Sequence, residues 1–206
     1  MLYIGCFIFA ILGYLLGSLN FSIIIGKLFY KIDVREHGSK NAGTTNTLRV
    51  LGKGPAIFVL LFDTFKAVIT YWLVFAITKN LPISYVASAA SVIGHNFPIF
   101  FGFKGGKGVA TSLGACFCFN PLLGLFVLII GVSTIAMTRY VSVGSLAGST
   151  SSIILFAFFD PNPLKLILLA VLTVSMYIRH KENIKRLMNH TENKITFSKK
   201  STEKQG

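Results

Sequence analysis

The amino-acid sequence predicts an all-α, polytopic membrane bundle, and three observations carry that prediction. The 206-residue chain is 53% hydrophobic, with a mean hydropathy of +0.68. Charged residues make up 13%, about half the share usual in a soluble globular domain. The charges are also unevenly placed: 20 Lys and Arg against 7 Asp and Glu give a net charge of +13, and most of the bases sit in short segments between long apolar stretches.

Seven apolar stretches follow one another. Leu2 to Phe29 is too long for a signal-peptide core and has no basic residue before it, so it stays as the first span. Pro55 to Ile77 and Ile83 to Phe103 are near the roughly 20 residues that cross the hydrocarbon, and a polar turn, Thr78 to Pro82, joins them. Val109 to Phe119 is short and ends at Asn120-Pro121, after which Leu122 to Met137 rises again. Val143 to Phe159 and Leu164 to Ile178 flank the turn Asp160-Pro161-Asn162-Pro163, with Lys165 as an interfacial snorkelling residue. Five spans remain open if the fourth and fifth stretches are re-entrant.

Basic residues accumulate on the cytoplasmic side of membrane proteins. Seven spans with the N-terminus outside and the C-terminus cytoplasmic put Lys27, Lys31, Arg35, Lys40, Arg49, Lys53, Lys104, Lys107, Arg139, Arg179 and the basic tail inside, leaving Lys79 and Lys165 outside. Residues 1–198 read as one membrane-embedded domain and 199–206 as a basic, disordered tail after an interfacial turn. Bases confined to loops and tail suit anionic lipid headgroups and a phosphorylated substrate, not nucleic acid. Cys6, Cys116 and Cys118 read as packed thiols, since Cys-Phe-Cys has no further ligand near it.

Three polar clusters, all on the expected cytoplasmic face, interrupt this apolar chain. The first, Gly38-Ser39-Lys40-Asn41-Ala42-Gly43-Thr44-Thr45-Asn46, combines turn-forming glycines with hydrogen-bonding side chains and a helix start before Leu48, beside Arg49 and Lys53. In the second, Gly94-His95-Asn96-Phe97-Pro98 runs on to Lys104-Gly105-Gly106-Lys107-Gly108, where glycines let backbone N–H groups turn toward an oxyanion between two lysines. It lacks the spacing of a Walker A loop. His95 alone reads as structural. The third, Arg179-His180-Lys181-Glu182-Asn183, closes the last span, and on a continuing helix His180 and Asn183 share a face. Glu182 and Glu192 suit the orientation of cations. Asp63 and Lys66, three residues apart inside the second span, are expected to pair with each other or with another span, in a structural or site-supporting role and not as a proton relay.

Taken in order, the three clusters, ending in Arg-His-Lys-Glu-Asn-Ile-Lys-Arg-Leu, resemble the bacterial acyl-phosphate-dependent glycerol-3-phosphate acyltransferases over nearly the whole chain. The resemblance implies a multi-pass enzyme of the bacterial plasma membrane with its active site facing the cytoplasm. It would move a fatty acyl group from acyl phosphate to the 1-hydroxyl of sn-glycerol 3-phosphate, giving lysophosphatidic acid, with no metal, no cofactor, and neither acyl-CoA nor acyl-carrier protein as donor. Partners are then acyl phosphate, glycerol 3-phosphate and membrane lipids, with no nucleic acid and a monomer as the expected state. Carried over by position, Ser39, His180 and Asn183 are the expected catalytic residues. Arg49, Lys104, Gly105, Gly106, Lys107, Gly108, Asn41, Gly43 and Asn46 are the expected substrate-binding ones. One departure stands out: His190 precedes Thr191-Glu192 where the family usually has glycine, which puts that turn and any role for Glu192 in question.

The residue chemistry suits such a reaction. An acyl phosphate is already activated, so transfer needs two anions brought together and charge stabilised, without a covalent nucleophile. The glycine loop with Lys104 and Lys107 would hold one phosphate and Arg49, His180 and Asn183 the other, with Ser39 placing the reacting oxygen. Either His180 or the donor's own phosphate oxygen would take the proton. A transporter of a small phosphorylated solute is the alternative, but its site would lie near the midplane, between repeated halves. A metal-dependent lipid synthase or phosphatase would want clustered carboxylates, and the seven here are scattered.

Overall fold

The computed structural model describes residues 2–195, and among these every regular element is helical. The order is α1 (Leu2–Gly17), α2 (Phe21–Phe29), α3 (Thr44–Val50), α4 (Lys53–Thr78), α5 (Leu81–Asn96), a 3-10 turn (Ile99–Phe101), α6 (Val109–Phe119), α7 (Pro121–Thr138), α8 (Val141–Phe159), α9 (Pro163–Arg179) and α10 (Lys181–Met188). The 28-residue run Leu2–Phe29, α4, α7 and α8 are each long and apolar enough to cross a membrane, and α9 with α10 passes the same test as a pair bent by 56°. Large apolar side chains such as Phe7, Ile57, Trp72, Leu122 and Phe158 stand exposed, as a lipid-facing surface requires.

Local sequence explains the ends of these helices. Asn80, Asn120 and Asn162 each accept from the backbone N–H three residues on, and a proline occupies the first turn of α5, α7 and α9. Each of these turns at one end of the bundle therefore starts the next helix in the same way. At the α7–α9 side of that end, Lys165 corrects its expected snorkelling role. It is buried, 2.6 Å from Asp160 Oδ2, which also accepts from Asn120 Nδ2. The short Asp160 turn brings the counter-ion within reach, so the ammonium is neutralised inside the bundle.

The first apolar stretch differs from expectation by breaking at Ser18–Asn20. Asn20 restarts the helix by accepting from Ile23 N–H, while its Nδ2 donates to the Ala42 carbonyl of the first polar cluster, 3.2 Å away. Beside the break, α1 lies almost backbone to backbone on α5: a β-carbon at Gly17 would stand 1.9 Å from the Ser91 carbonyl oxygen. Small residues permit such approach in lipid, where close packing drives helix association. The expected third span is also shorter, because α5 stops at Asn96 and residues 97–108 form a loop.

The expected continuous helix through the third cluster is corrected by the 56° bend at His180. The His180 N–H already bonds back to Met176 and Tyr177 carbonyls, closing α9, and α10 starts anew as an amphipathic helix. The expected disorder of residues after about 197, and the tail 199–206, lie outside the described residues.

Candidate active site

All three polar clusters meet at one end of the bundle, around a cleft of about 920 Å³. Ser39, Lys40 and Asn41 line it from the first cluster, Lys104, Gly105 and Lys107 from the second, and Arg179, Lys181, Glu182 and Asn183 from the third. Phe97, Phe100 and Ile178 give it an apolar border.

The first loop is shaped by a buried amide. Asn46 donates to the Val34 and His37 carbonyls and accepts from Ser39 N–H at 2.8 Å. Expected as a substrate ligand, Asn46 instead spends its side chain on the loop and fixes where Ser39 stands. Gly38 and Lys40 take positive φ on either side of that serine, which leaves Ser39 exposed on the cleft wall. Gly43 begins α3, and Arg49 lies exposed on the same helix.

The glycine loop corrects the expected cradle of inward N–H groups at its centre. The Gly106 N–H is used by the His95 carbonyl at 3.1 Å. The Gly105 and Gly106 carbonyls both accept from the Arg179 guanidinium, at 2.7 and 3.0 Å. Arg179 also lies 5.3 Å from the centre of the Phe97 ring. Positive charge at this loop therefore comes from cationic side chains, with the N-terminus of α6 just past Gly108. A second arginine, Arg35, clamps the loop from the other side by donating to the Phe101 and Lys104 carbonyls. Asp33 holds Arg35 in place, and this hydrogen bonding keeps the Asp33 carboxyl far below the usual carboxylate range.

Lys107 and Asn183 join the second and third clusters directly, through a hydrogen bond from Nζ to Oδ1. Asn183 Nδ2 then donates to Glu192 Oε1 at 2.6 Å, and the same carboxylate accepts from Arg186 and Ser142. The doubt about the turn before Glu192 is thereby corrected. His190 adopts φ 55°, the left-handed conformation that glycine would take there, and the turn delivers Glu192 to Asn183. Burial raises the Glu192 pKa, but the donors from Asn183, Arg186 and Ser142 outweigh it and keep the group below its ordinary value. Burial, reinforced by Arg186, Arg179 and Arg49, pushes Lys107 down to about 8 against the pull of Glu192.

His180 is set behind the wall, only 2% exposed, with Nδ1 2.8 Å from the Met176 carbonyl oxygen. A carbonyl only accepts, so the ring proton is on Nδ1 and Nε2 is left as an acceptor. Burial and the charge of Lys107 push its pKa down to about 4, so the ring is neutral at physiological pH.

These features point to one family. The family model described as glycerol-3-phosphate acyltransferase matches residues 7–190. The chain belongs to the glycerol-3-phosphate acyltransferase family. Among its relatives, the glycerol-3-phosphate acyltransferase of Halalkalibacterium halodurans is 45% identical over 197 residues, 92% of this chain and 95% of the relative. That of Shouchella clausii is 48% identical over 190 residues, 89% and 92% of the two chains. The fold matches the crystal structure of PlsY, an integral membrane glycerol 3-phosphate acyltransferase, in its glycerol 3-phosphate form. The TM-score is 0.87 and the identity 34%, covering 93% of this chain and 96% of that one. The lysophosphatidic acid form of the same protein matches with a TM-score of 0.84.

Of the residues expected from sequence, Ser39, Asn41, Lys104, Gly105, Lys107 and Asn183 line the cleft together. Gly43, Asn46, Arg49, Gly106, Gly108 and His180 are not part of its wall. Sequence reasoning missed Arg35 and Arg186; the Asp33-x-Arg35 spacing was the available signal for the first.

Proposed function

We propose that this chain is a glycerol-3-phosphate 1-O-acyltransferase that uses acyl phosphate as donor and works at the cytoplasmic face of the bacterial plasma membrane, with residues 1–198 as one embedded unit. The carrying observation is the meeting of Ser39, Lys107 and Asn183 at a cationic cleft beside an apolar groove. That groove, about 120 Å³, runs between α6, α7, α8 and α9. Val109, just after the glycine loop, and Met176, one turn before His180, both line it. An acyl chain seated there ends with its activated carboxyl near both clusters.

In the reaction, the 1-hydroxyl oxygen of glycerol 3-phosphate bonds to the acyl carbon. The bond from that carbon to the phosphate oxygen breaks, and inorganic phosphate leaves with the electron pair. Lys104, Lys107 and Arg179 neutralise the phosphates and Ser39 and Asn183 orient the reacting oxygens, while His180, buried behind the wall, contributes a neutral ring whose Nε2 is left as an acceptor. With a pKa of about 4, His180 is a weak base at pH 7. The proton passes to the departing phosphate, a stronger base than this imidazole.

The purified protein in lipid, given labelled glycerol 3-phosphate and a chelator, should form lysophosphatidic acid from palmitoyl phosphate and not from palmitoyl-CoA. Equal use of the thioester would overturn the donor assignment. No product from either donor, from folded protein, would favour transport and call for flux measurements in liposomes.

Lys107 sets the alkaline limit of this activity. Its charge is present below about 8 and lost above it, so kcat/KM, which reports the free enzyme, should decline above about pH 8. The limb in kcat should lie higher, because a bound phosphate favours the ammonium. Lys107→Arg, charged throughout, should lose activity overall yet show no limb near 8; an unchanged limb would assign it to another group.

A further inference from the structure

Asp63, Lys66 and His95 form an ionic cluster inside the helix bundle that the reaction steps leave unused. Lys66 Nζ is 2.9 Å from Asp63 Oδ1 and 2.7 Å from His95 Nδ1, and His95 Nδ1 is 3.4 Å from the same carboxylate oxygen. All three residues are buried, His95 being 4% exposed. Ionisable groups at such depth are costly and mark function more often than packing. Lys66 also reaches the Leu19 carbonyl at 3.4 Å, in the break between α1 and α2. One ammonium therefore ties α4, α5 and the broken first span.

The far edge of His95 meets the active-site loops. As the charged partner of Asp63, the Lys66 ammonium has only donors to offer, so Nδ1 accepts and the imidazole proton lies on Nε2. A β-carbon built on Gly106 would stand 2.1 Å from His95 Nε2 and 2.5 Å from the Ala42 carbonyl oxygen. The Gly106 N–H is held by the His95 carbonyl, and Ala42 is held by Asn20 from the break. First and second clusters thus touch at one point, and His95 is the side chain that fills it.

We propose that Asp63, Lys66 and His95 are positioning residues. Through the Nε2 edge of His95 they register the glycine loop against the first loop, and so place Lys104, Lys107 and Arg179 opposite Ser39. An error of about 1 Å in that register is enough to cost roughly 100-fold in rate.

The kinetic part of the test rests on the acyl-transfer reading, and a second readout does not. The double variant Asp63→Asn/Lys66→Met removes both charges together, which a fold tolerates far better than removing one. It should unfold at or above the wild-type temperature, lose about 10- to 100-fold in kcat with a smaller change in KM for glycerol 3-phosphate, and exchange the Gly106 amide faster with deuterium. At position 95 the choice of atom is tested: glutamine places an amide N–H near Nε2 and asparagine near Nδ1. His95→Gln should keep most of kcat and loop protection, whereas His95→Asn should fall to the level of His95→Leu. Wild-type kcat and loop exchange in the double variant would overturn the proposal, as would His95→Gln no better than His95→Leu. Should the double variant fail to fold, the Gln and Asn pair decides alone. Should wild-type protein transfer no acyl group, the function reading falls, and Gly106 exchange across the same variants still decides the positioning claim.

Discussion

Lys107→Met is expected to lower kcat/KM by about 10³ while leaving the protein folded, because one preorganised group aimed at developing charge is worth about 10²–10³ in rate and this lysine also holds Asn183. Methionine keeps most of the apolar stem of the side chain, and Lys107 lies in the 97–108 loop instead of a packed helix. Loss of its charge leaves Lys104 and Arg179 on the cleft wall, so binding should survive better than turnover. Two numbers check this: kcat/KM for each substrate, and the unfolding temperature in the same detergent. A double-mutant cycle with Asn183→Leu adds the decisive part. Residues that share one hydrogen bond couple, so the combined loss should be well short of the sum of the two free-energy costs. Additive losses, or a Lys107→Met enzyme within tenfold of wild type, would remove Lys107 from the reacting centre.

The sequence made the apolar helices and the cationic loops legible, because both are written in local composition. Long apolar runs and Asn-Pro turns mark where helices start, and the glycine-base clusters mark where the chain cannot stay in lipid. What escaped depends on how the fold brings partners together, often from far along the chain. A single polar residue, Asn20, is the local mark of the break in Leu2–Phe29; Lys66 and Ala42 supply further groups that satisfy it, from elements 22 or more residues away. Lys165 reads as a snorkelling residue until Asp160 is seen to reach it. Arg35 and Arg179 act on backbone carbonyls of the glycine loop, and carbonyls carry no sequence signature. The same holds for Glu192: the missing glycine suggested an altered turn, yet His190 occupies the left-handed region and keeps it, a conformation that costs a side chain more than it costs glycine. Several charged residues of the clusters therefore line the cleft as expected, whereas residues defined by what they hold went unread.

His180→Asn should separate holding from chemistry at the third cluster. The asparagine amide can replace the Nδ1–H donor to the Met176 carbonyl, which closes α9 at the bend, but it offers no acceptor where Nε2 stands. The unfolding temperature should therefore stay within roughly 4 °C, equivalent to about 1 kcal/mol in a chain of this size. Turnover should fall by about 10²–10³, the cost of losing one preorganised polar group at a reacting centre. Alanine is the poorer probe, because His180 is packed and only 2% exposed, so His180→Ala would open a cavity and strip a donor from the helix end together. His180→Gln, whose carbonyl oxygen can approach the Nε2 position, should recover part of kcat without the donor to Met176. An Asn variant that turns over like wild type would confine His180 to helix capping. One that unfolds early would show that the imidazole is needed for the bend itself. Loss of kcat with an unmoved melting curve is the result that a neutral acceptor, poised behind Lys107, requires.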